Sequence, residues 1–397
     1  MTAAPREERP PRTSAAASLE GRGAWWALGA LSLLGYLALA GLRGWSQPRD
    51  VRDFLGVMLA LFAVYGVALW LVERRRAAPP SWKEIVLAAI FFRLALVPAG
   101  APDGASGAWR DLTQGTEHAS AYGSFMLYDN DVWRYLWDGR VVLGGVDTYR
   151  LSPAEIEELA DGGDARFEWF EEEAWASLHP RIGYPGYRTI YPPLAQAVFA
   201  LCAAVAPASV AFFKLLLLLF DVCTCLLLAD LARRVRGRPE LVLIYAWNPL
   251  VIKELIGSAH VDAILIFFLV LSAWLLERGR SRLALAALGG AILIKLTPLL
   301  LIPLFWRRTP WRSWWPLPAV GAAAYLPLWG SIPVMTESLQ AFARDWGFNA
   351  GPWNAFLWAS RAAGAEGRGV ADALSLALTL GLVARLTAWA GRRGEGA

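Results

Sequence analysis

The sequence predicts an all-α, polytopic membrane protein, and three observations predict it. Of 397 residues, 56% are hydrophobic and only 18% are charged, where a soluble domain carries about a quarter charged residues. Apolar runs recur near the roughly twenty residues that cross about 30 Å of hydrocarbon; Trp25–Leu42, Phe54–Val72, Ala211–Leu231 and Leu374–Ala390 are the clearest, with a shorter one at Ala263–Leu276. The charge is segregated. Arginines cluster in short segments, such as Arg74–Arg76, Arg233–Arg238, Arg278–Arg282, Arg307–Arg312 and Arg392–Arg393, whereas Ala99–Tyr191 holds sixteen Asp and Glu against seven Arg and no Lys. Positive segments stay cytoplasmic. The N-terminus and the arginine clusters are therefore expected inside and the acidic stretch outside. The 21 tryptophans suit the interface, where the ring sits in lipid and the N–H reaches water. The arginines are explained by topology, and no nucleic acid is expected as a partner.

Element by element, residues 1–23 are expected as a disordered cytoplasmic tail rich in Ala, Pro, Arg and Ser. The first apolar run is too long for a removable signal segment and is a retained helix. Residues 24–82 hold two helices, about Ala24–Leu42 and Phe54–Val72. Residues 83–390 form the core, beginning with Lys83–Val97 and followed by a large outer loop over 99–191. Within that loop, Ser152–Glu155 reads as an N-cap, a proline in the first turn and an early glutamate, so Pro153–Glu158 is expected to be helical, as is Phe167–Ala176. Leu194–Val205 is short for a crossing and is expected at the interface. Ala211–Leu231 crosses inward, Leu241–Ile256 outward and Val261–Leu276 inward. Leu283–Phe305 is expected to break at Lys295–Pro298, and Trp314–Trp329 leads to a second outer loop over 331–354. Phe356–Ala363 is a further partial span, Leu374–Ala390 returns, and residues 391–397 form a cytoplasmic tail. The total is about ten or eleven helices. Cys202, Cys223 and Cys225 lie in apolar runs and the outer loop has no cysteine, so no disulfide framework is expected.

Ionisable groups near a membrane are costly and need a partner or a function. Five sets stand out. Asp129, Asp131, Arg134 and Asp138 fall in the acidic, aromatic stretch Leu127–Gly139; helical spacing puts Asp131, Arg134, Tyr135 and Asp138 on one face. A carboxylate there suits a general base, and its neighbours suit sugar hydroxyls; the structural reading is a salt-bridge network. Gly257–Asp262 holds His260 and Asp262, after Lys253 and Glu254, as ligands for a phosphate or sugar hydroxyls; the structural reading is a helix start capped by Ser258. With three histidines in the chain (His118, His179, His260), no zinc site is expected. Lys295 suits a lipid phosphate as a point charge, or snorkels to the interface. In Arg344–Asn349, Arg344 suits a phosphate and Trp346 a stacked ring, with Asn349 beside them; the structural reading is an interfacial helix. Tyr149 and Tyr191 are expected to shape loops. Carboxylates beside Trp and Tyr at a membrane surface suit a polar, ring-shaped group delivered from lipid.

Taken together, Asp-Val-Trp-Arg-Tyr-Leu-Trp-Asp-Gly (Asp131–Gly139), Gly-Gly-Val-Asp-Thr-Tyr (Gly144–Tyr149), Tyr-Pro-Pro (Tyr191–Pro193), Trp-Asn-Pro (Trp247–Pro249), Gly257–Asp262, Lys-Leu-Thr-Pro (Lys295–Pro298) and Trp-Gly-Phe-Asn (Trp346–Asn349) resemble the polyprenyl-phosphate-sugar-dependent glycosyltransferases of the GT-C superfamily. The likeness is greatest to the bacterial mannosyltransferase-like branch that includes glycosyltransferase family 87. It implies a GT-C-like helical bundle with short interfacial helices in the first outer loop, to which the two N-terminal helices are an addition. It also implies an acidic base in that loop, which by motif position is Asp131. The family pattern often has an aspartate directly before the base, where this chain has Asn130; Asp129 is the nearer second carboxylate. The expectation is an inverting enzyme of the bacterial cytoplasmic membrane that moves a mannose-like hexose or a pentose from a polyprenyl phosphate to a hydroxyl on a lipid, glycan or protein outside. Asp131 is its base, and Asp129, Arg134, Asp138, His260, Asp262, Lys295, Arg344, Trp346 and Asn349 are its substrate ligands. No cofactor is expected, and a divalent metal is possible but not required. The alternative is a flippase or transporter of lipid-linked sugars, which needs a cationic, aromatic cavity but no base.

Overall fold

The computed structural model describes residues 14–42, 48–74, 80–101, 104–114, 129–345, 351–364 and 367–394. Among them every regular element is a helix. Five helices are long and apolar enough to cross a membrane: Arg22–Ala40, Val51–Arg74, Val210–Arg236, Trp311–Arg344 and Gly367–Ala388. Pro193–Val205, Ser281–Ile294 and Thr297–Trp306 are shorter apolar helices. The chain is an all-α polytopic membrane protein. It divides into two compact units, one of Met1–Val132 with Ala208–Ala263, the other of Trp133–Pro207 with Ile264–Ala397.

In the first unit, the N-terminal helix runs over Ser14–Ala40, starting ahead of the expected Ala24 because an alanine-rich turn of high helix propensity precedes the apolar run. The rest of the expected tail lies outside the described residues. The Trp82–Leu96 helix opens with a full capping box, in which Ser81 Oγ accepts from the Glu84 N–H and the Glu84 carboxylate accepts from the Ser81 N–H at 2.7 Å. Four buried charged side chains, Arg93, Asp111, Lys214 and Asp221, hold this unit together. Arg93 and Asp221, both inaccessible, form an ion pair between the Trp82–Leu96 and Val210–Arg236 helices. Tyr245 donates to the other Asp221 oxygen at 2.5 Å, and Arg93 donates to the Ala246 carbonyl at 2.7 Å. Lys214 is fully buried and donates to the carbonyls of Leu96, Val97 and Ala99, where helix-end acceptors lack partners within the helix. Asp111 accepts from Ser209 Oγ and from the Ala211 N–H at the start of the Val210–Arg236 helix, where a negative charge complements the helix dipole.

The crossing expected at Leu241–Ile256 is not one helix. It is a chain of short turns: Pro239–Val242, Leu243–Ala246, Pro249–Ile252 and the π-helical Lys253–Gly257. Pro249 has no N–H to continue the preceding helix, and Asn248 restarts it by accepting from the Leu250 N–H at 3.0 Å. Trp247 anchors the break. It packs on Phe92 at 5.2 Å and donates its Nε1–H to the Ile85 carbonyl.

In the second unit, the Pro153–Asp161 helix carries the capping box read from Ser152 and Glu155. Phe167–Ala176 is a 3-10 turn, Ala165–Glu171, followed by the helix Glu173–Leu178. This segment has its own core, with Trp133, Trp137, Phe167 and Trp175 each at 1% exposure or less. The Asp131–Leu143 helix, of which Trp133 onward belongs to this unit, meets the Pro193–Val205 helix so closely that a Cβ on Gly139 would lie 2.2 Å from the Phe199 carbonyl oxygen. Tyr135 stacks on Phe199 at 4.7 Å. Tyr149 donates to the Tyr191 carbonyl at 2.8 Å, so both tyrosines shape loops as expected. The break at Lys295–Pro298 is present: Ser281–Ile294 ends, Lys295 is extended at φ −157° and ψ 142°, and a 3-10 turn, Thr297–Leu301, follows. The expected second loop over 331–354 is instead helical at Ile332–Asp345 and from Gly351 onward, because after Pro333 no glycine or proline interrupts the chain as far as Asp345. The last helix, Gly367–Gly394, passes the expected end at 390.

Candidate active site

The first unit gathers three carboxylates around one imidazole. Asp129 precedes the Asp131–Leu143 helix, and its Oδ1 accepts from the Asp131 N–H at 2.9 Å, an Asx turn that fixes the entry of the helix. Asp131 occupies the first turn, where the dipole favours a negative charge. The other wall is the π-helical turn. The Ser258 N–H reaches back to the Lys253 carbonyl at 2.8 Å, and the His260 N–H to the Glu254 carbonyl at 3.2 Å. Between them Ala259 takes a left-handed φ of 60°, uncommon for a residue with a Cβ. This compact reversal swings His260 over Glu254, so Glu254 holds the same residue by its backbone and by its carboxylate.

His260 is 82% buried by side chain and is clamped at both nitrogens: Nε2 lies 2.9 Å from Asp129 Oδ2, and Nδ1 lies 3.0 Å from Glu254 Oε2. Lys253 Nζ continues the chain to Glu254 Oε1 at 3.1 Å. Burial works against charge on His260, but the hydrogen bonds to Asp129 and Glu254, with the charges of Asp129 and Asp131, push its pKa up to about 10. It is an imidazolium at neutral pH. Burial also opposes charge on Asp129, yet His260, the Asp131 N–H and Lys253 hold its carboxyl below the usual aspartate range. Ligating atoms of Asp129, Asp131 and His260 all lie within 4.8 Å of one another. A metal ion held by these three would use a lone pair of the imidazole; without one, a ring held by carboxylates at both nitrogens fits the protonated form. The arrangement can keep Asp129 in one place and ionised, with Asp131 beside it as a carboxylate able to take a proton.

The other expected ligands are spread. Asp262 lies in the first turn of the Asp262–Glu277 helix. Ser258 does not cap that helix, which begins beyond it; its buried hydroxyl has no partner among the described residues. Arg134 and Asp138 form an ion pair at 2.7 Å in the second unit. Asp138 is 1% exposed and its other oxygen accepts from Gln196 at 3.1 Å, while Arg134 also donates to the Tyr187 carbonyl. Asp138 was expected to touch substrate. Its burial and these two bonds tie it to the chain that returns through Tyr187–Thr189. Lys295 is half-buried at the helix break. Arg344 is in the last turn of the Ile332–Asp345 helix, where a cation complements the carbonyl end. Trp346 and Asn349 lie outside the described residues, as do Leu127, Tyr128 and His118.

The expected set lacked Glu254. A carboxylate in an apolar stretch signals a partner or a function, but its six-residue spacing from His260 matches no helical face, and only the π turn joins them.

Residues 124–308 match the family model described as alpha-(1->6)-mannopyranosyltransferase, N-terminal domain. The matched segment includes Asp129, Asp131, Glu254 and His260. No curated protein and no solved structure matches the chain. The chain is thus similar, over somewhat under half its length, to mannosyltransferases, and the likeness supports a glycosyltransferase role.

Proposed function

We propose that this protein is an inverting glycosyltransferase that moves a mannose-like hexose from a polyprenyl phosphate to a hydroxyl acceptor on a lipid, glycan or protein at the extracytoplasmic face of a bacterial cytoplasmic membrane. The GT-C superfamily and the narrower likeness to family 87 are part of this reading. The observation that carries it is the cluster of Asp129 and Asp131 against His260, in a segment whose sequence matches a mannosyltransferase family.

In this reading Asp131 takes the proton of the acceptor hydroxyl as its oxygen attacks the anomeric carbon. The bond to the phosphate oxygen breaks, and the polyprenyl phosphate leaves with the electron pair. Because phosphate is already a stable leaving group, catalysis rests on positioning and on balancing charge. Asp129, fixed by the imidazolium, orients sugar or acceptor hydroxyls. Lys295 and Arg344 are proposed charge partners of the donor phosphate on the ground of their charge and of the helix ends they occupy. No cofactor or metal enters the scheme.

The test is an assay of the purified protein in lipid with polyprenyl-phosphate mannose and candidate hydroxyl acceptors, the product's anomeric configuration being read by NMR. Transfer with inversion supports the reading. Transbilayer movement of the lipid-linked sugar without transfer would replace it with a transporter.

A further inference from the structure

Two turns of the second unit carry six arginines and one carboxylate. Arg278, Arg280 and Arg282 surround the turn between the Asp262–Glu277 and Ser281–Ile294 helices, and Arg307, Arg308 and Arg312 follow the Ile302–Trp306 helix. The carboxylate, Glu277, is engaged by Arg308 at 3.5 Å. Arg280, Arg282 and Arg307 have no carboxylate partner among the described residues.

Between these turns lies a cavity of about 490 Å³, lined by Gly279, Arg280, Ser281, Arg282, Leu283, Pro310 and Ser313. Ser313 is mostly buried, yet it lines the cavity. Beside it stand Trp306, Trp311 and Trp315, exposed by 58%, 71% and 61%, at the ends of apolar helices. Topology alone asks for arginines on this side of the chain. It does not ask for an open hollow between the two turns or for a tryptophan rim beside it.

We propose that the cavity between the Gly279–Leu283 and Pro310–Ser313 turns binds the phosphate headgroup of an anionic phospholipid. The two guanidinium groups match phosphate oxygens in geometry as well as charge, and the Ser313 hydroxyl adds a donor. The exposed tryptophans identify a lipid rather than free phosphate as the source, because an indole ring at the interface lies along acyl chains. Basic pockets at the ends of membrane helices recognise anionic headgroups in this way.

The experiment is native mass spectrometry of the full-length protein released from detergent, incubated with phosphatidylglycerol, with phosphatidylcholine, or with phosphatidylglycerol plus inorganic phosphate. The expected result is one retained phosphatidylglycerol, no retained phosphatidylcholine and little competition by phosphate. The double variant Arg280→Gln with Arg282→Gln should lower occupancy about tenfold or more. Ser313→Ala should lower it less, and Arg233→Gln with Arg234→Gln, which removes arginines already paired with Asp230, should not. Circular dichroism verifies that each variant is folded. Three results would each overturn the proposal: unchanged retention in the Arg280/Arg282 variant, equal retention of phosphatidylcholine, or displacement of the lipid by millimolar phosphate.

Discussion

His260 Nε2 lies 2.9 Å from Asp129 Oδ2, while the opposite ring nitrogen lies 3.0 Å from Glu254. One imidazolium thus ties the entry of the Asp131–Leu143 helix to the π-helical turn at Lys253–Gly257. The geometry of Asp131 depends on that tie, since its own N–H is held by Asp129.

The clamp has a pH signature. The folded pKa of His260 is raised, to about 10, above the ordinary value of about 6.5. Its stabilising contribution is therefore complete below about pH 6.5 and is lost as pH rises through about 10. Glu254→Gln removes one of the two anionic partners. That variant is expected to lose stability at a lower pH on the alkaline side, as read by thermal unfolding from pH 7 to 10.5, and its turnover should fall over the same range. An alkaline limb identical to that of the unmodified protein would remove Glu254 from the clamp.

The Arg93–Asp221 pair should be essential as a pair and dispensable as charge. Losing one partner leaves a buried charge unmatched and costs about 3–5 kcal/mol, whereas replacing both by apolar side chains is often neutral. Arg93→Met or Asp221→Leu alone is expected to lower the melting temperature sharply, and the double variant to recover much of it. Equal, additive losses would mean that the two charges act independently.

The helix contact at Gly139 allows no larger side chain. Gly139→Val pushes a Cβ into the Phe199 carbonyl, which is backbone and cannot yield. A loss of about 1–3 kcal/mol is expected from overpacking, and measured unfolding should show it. Unchanged stability would mean that the two helices sit farther apart than described.

Ala99–Tyr191, with its nine excess negative charges, is expected outside the cytoplasm. A cysteine introduced at Gly162, in the turn after the Pro153–Asp161 helix, should react with an impermeant reagent in intact cells. Labelling only after permeabilisation would invert the topology.

Much of this was legible in the sequence where the signal is local. Ser152, Pro153 and Glu155 specified a helix start because capping is settled within four residues, and Pro298 marked the break beside Lys295. The apolar runs marked the long helices because hydrocarbon thickness fixes their length. The π turn was not legible, since an i→i+5 bond leaves no periodic trace, and with it went the meeting of Glu254 with His260. Nor were Arg93, Lys214 and Asp221, whose partners are far off in sequence or are backbone carbonyls. Asp138 and Arg134 shared a helical face as expected, but Gln196, which completes the burial of Asp138, comes from another helix.

The most direct measurement is turnover of polyprenyl-phosphate mannose by purified Asp131→Asn beside the unmodified protein and Asp138→Asn. Asparagine keeps the size of Asp131 but cannot take the acceptor proton. Asp131→Asn is expected to stay folded, still bind the donor and lose about two to four orders of magnitude in kcat. Asp138→Asn should instead lose stability ahead of turnover. Near-normal kcat in Asp131→Asn would contradict the account and remove Asp131 as the base.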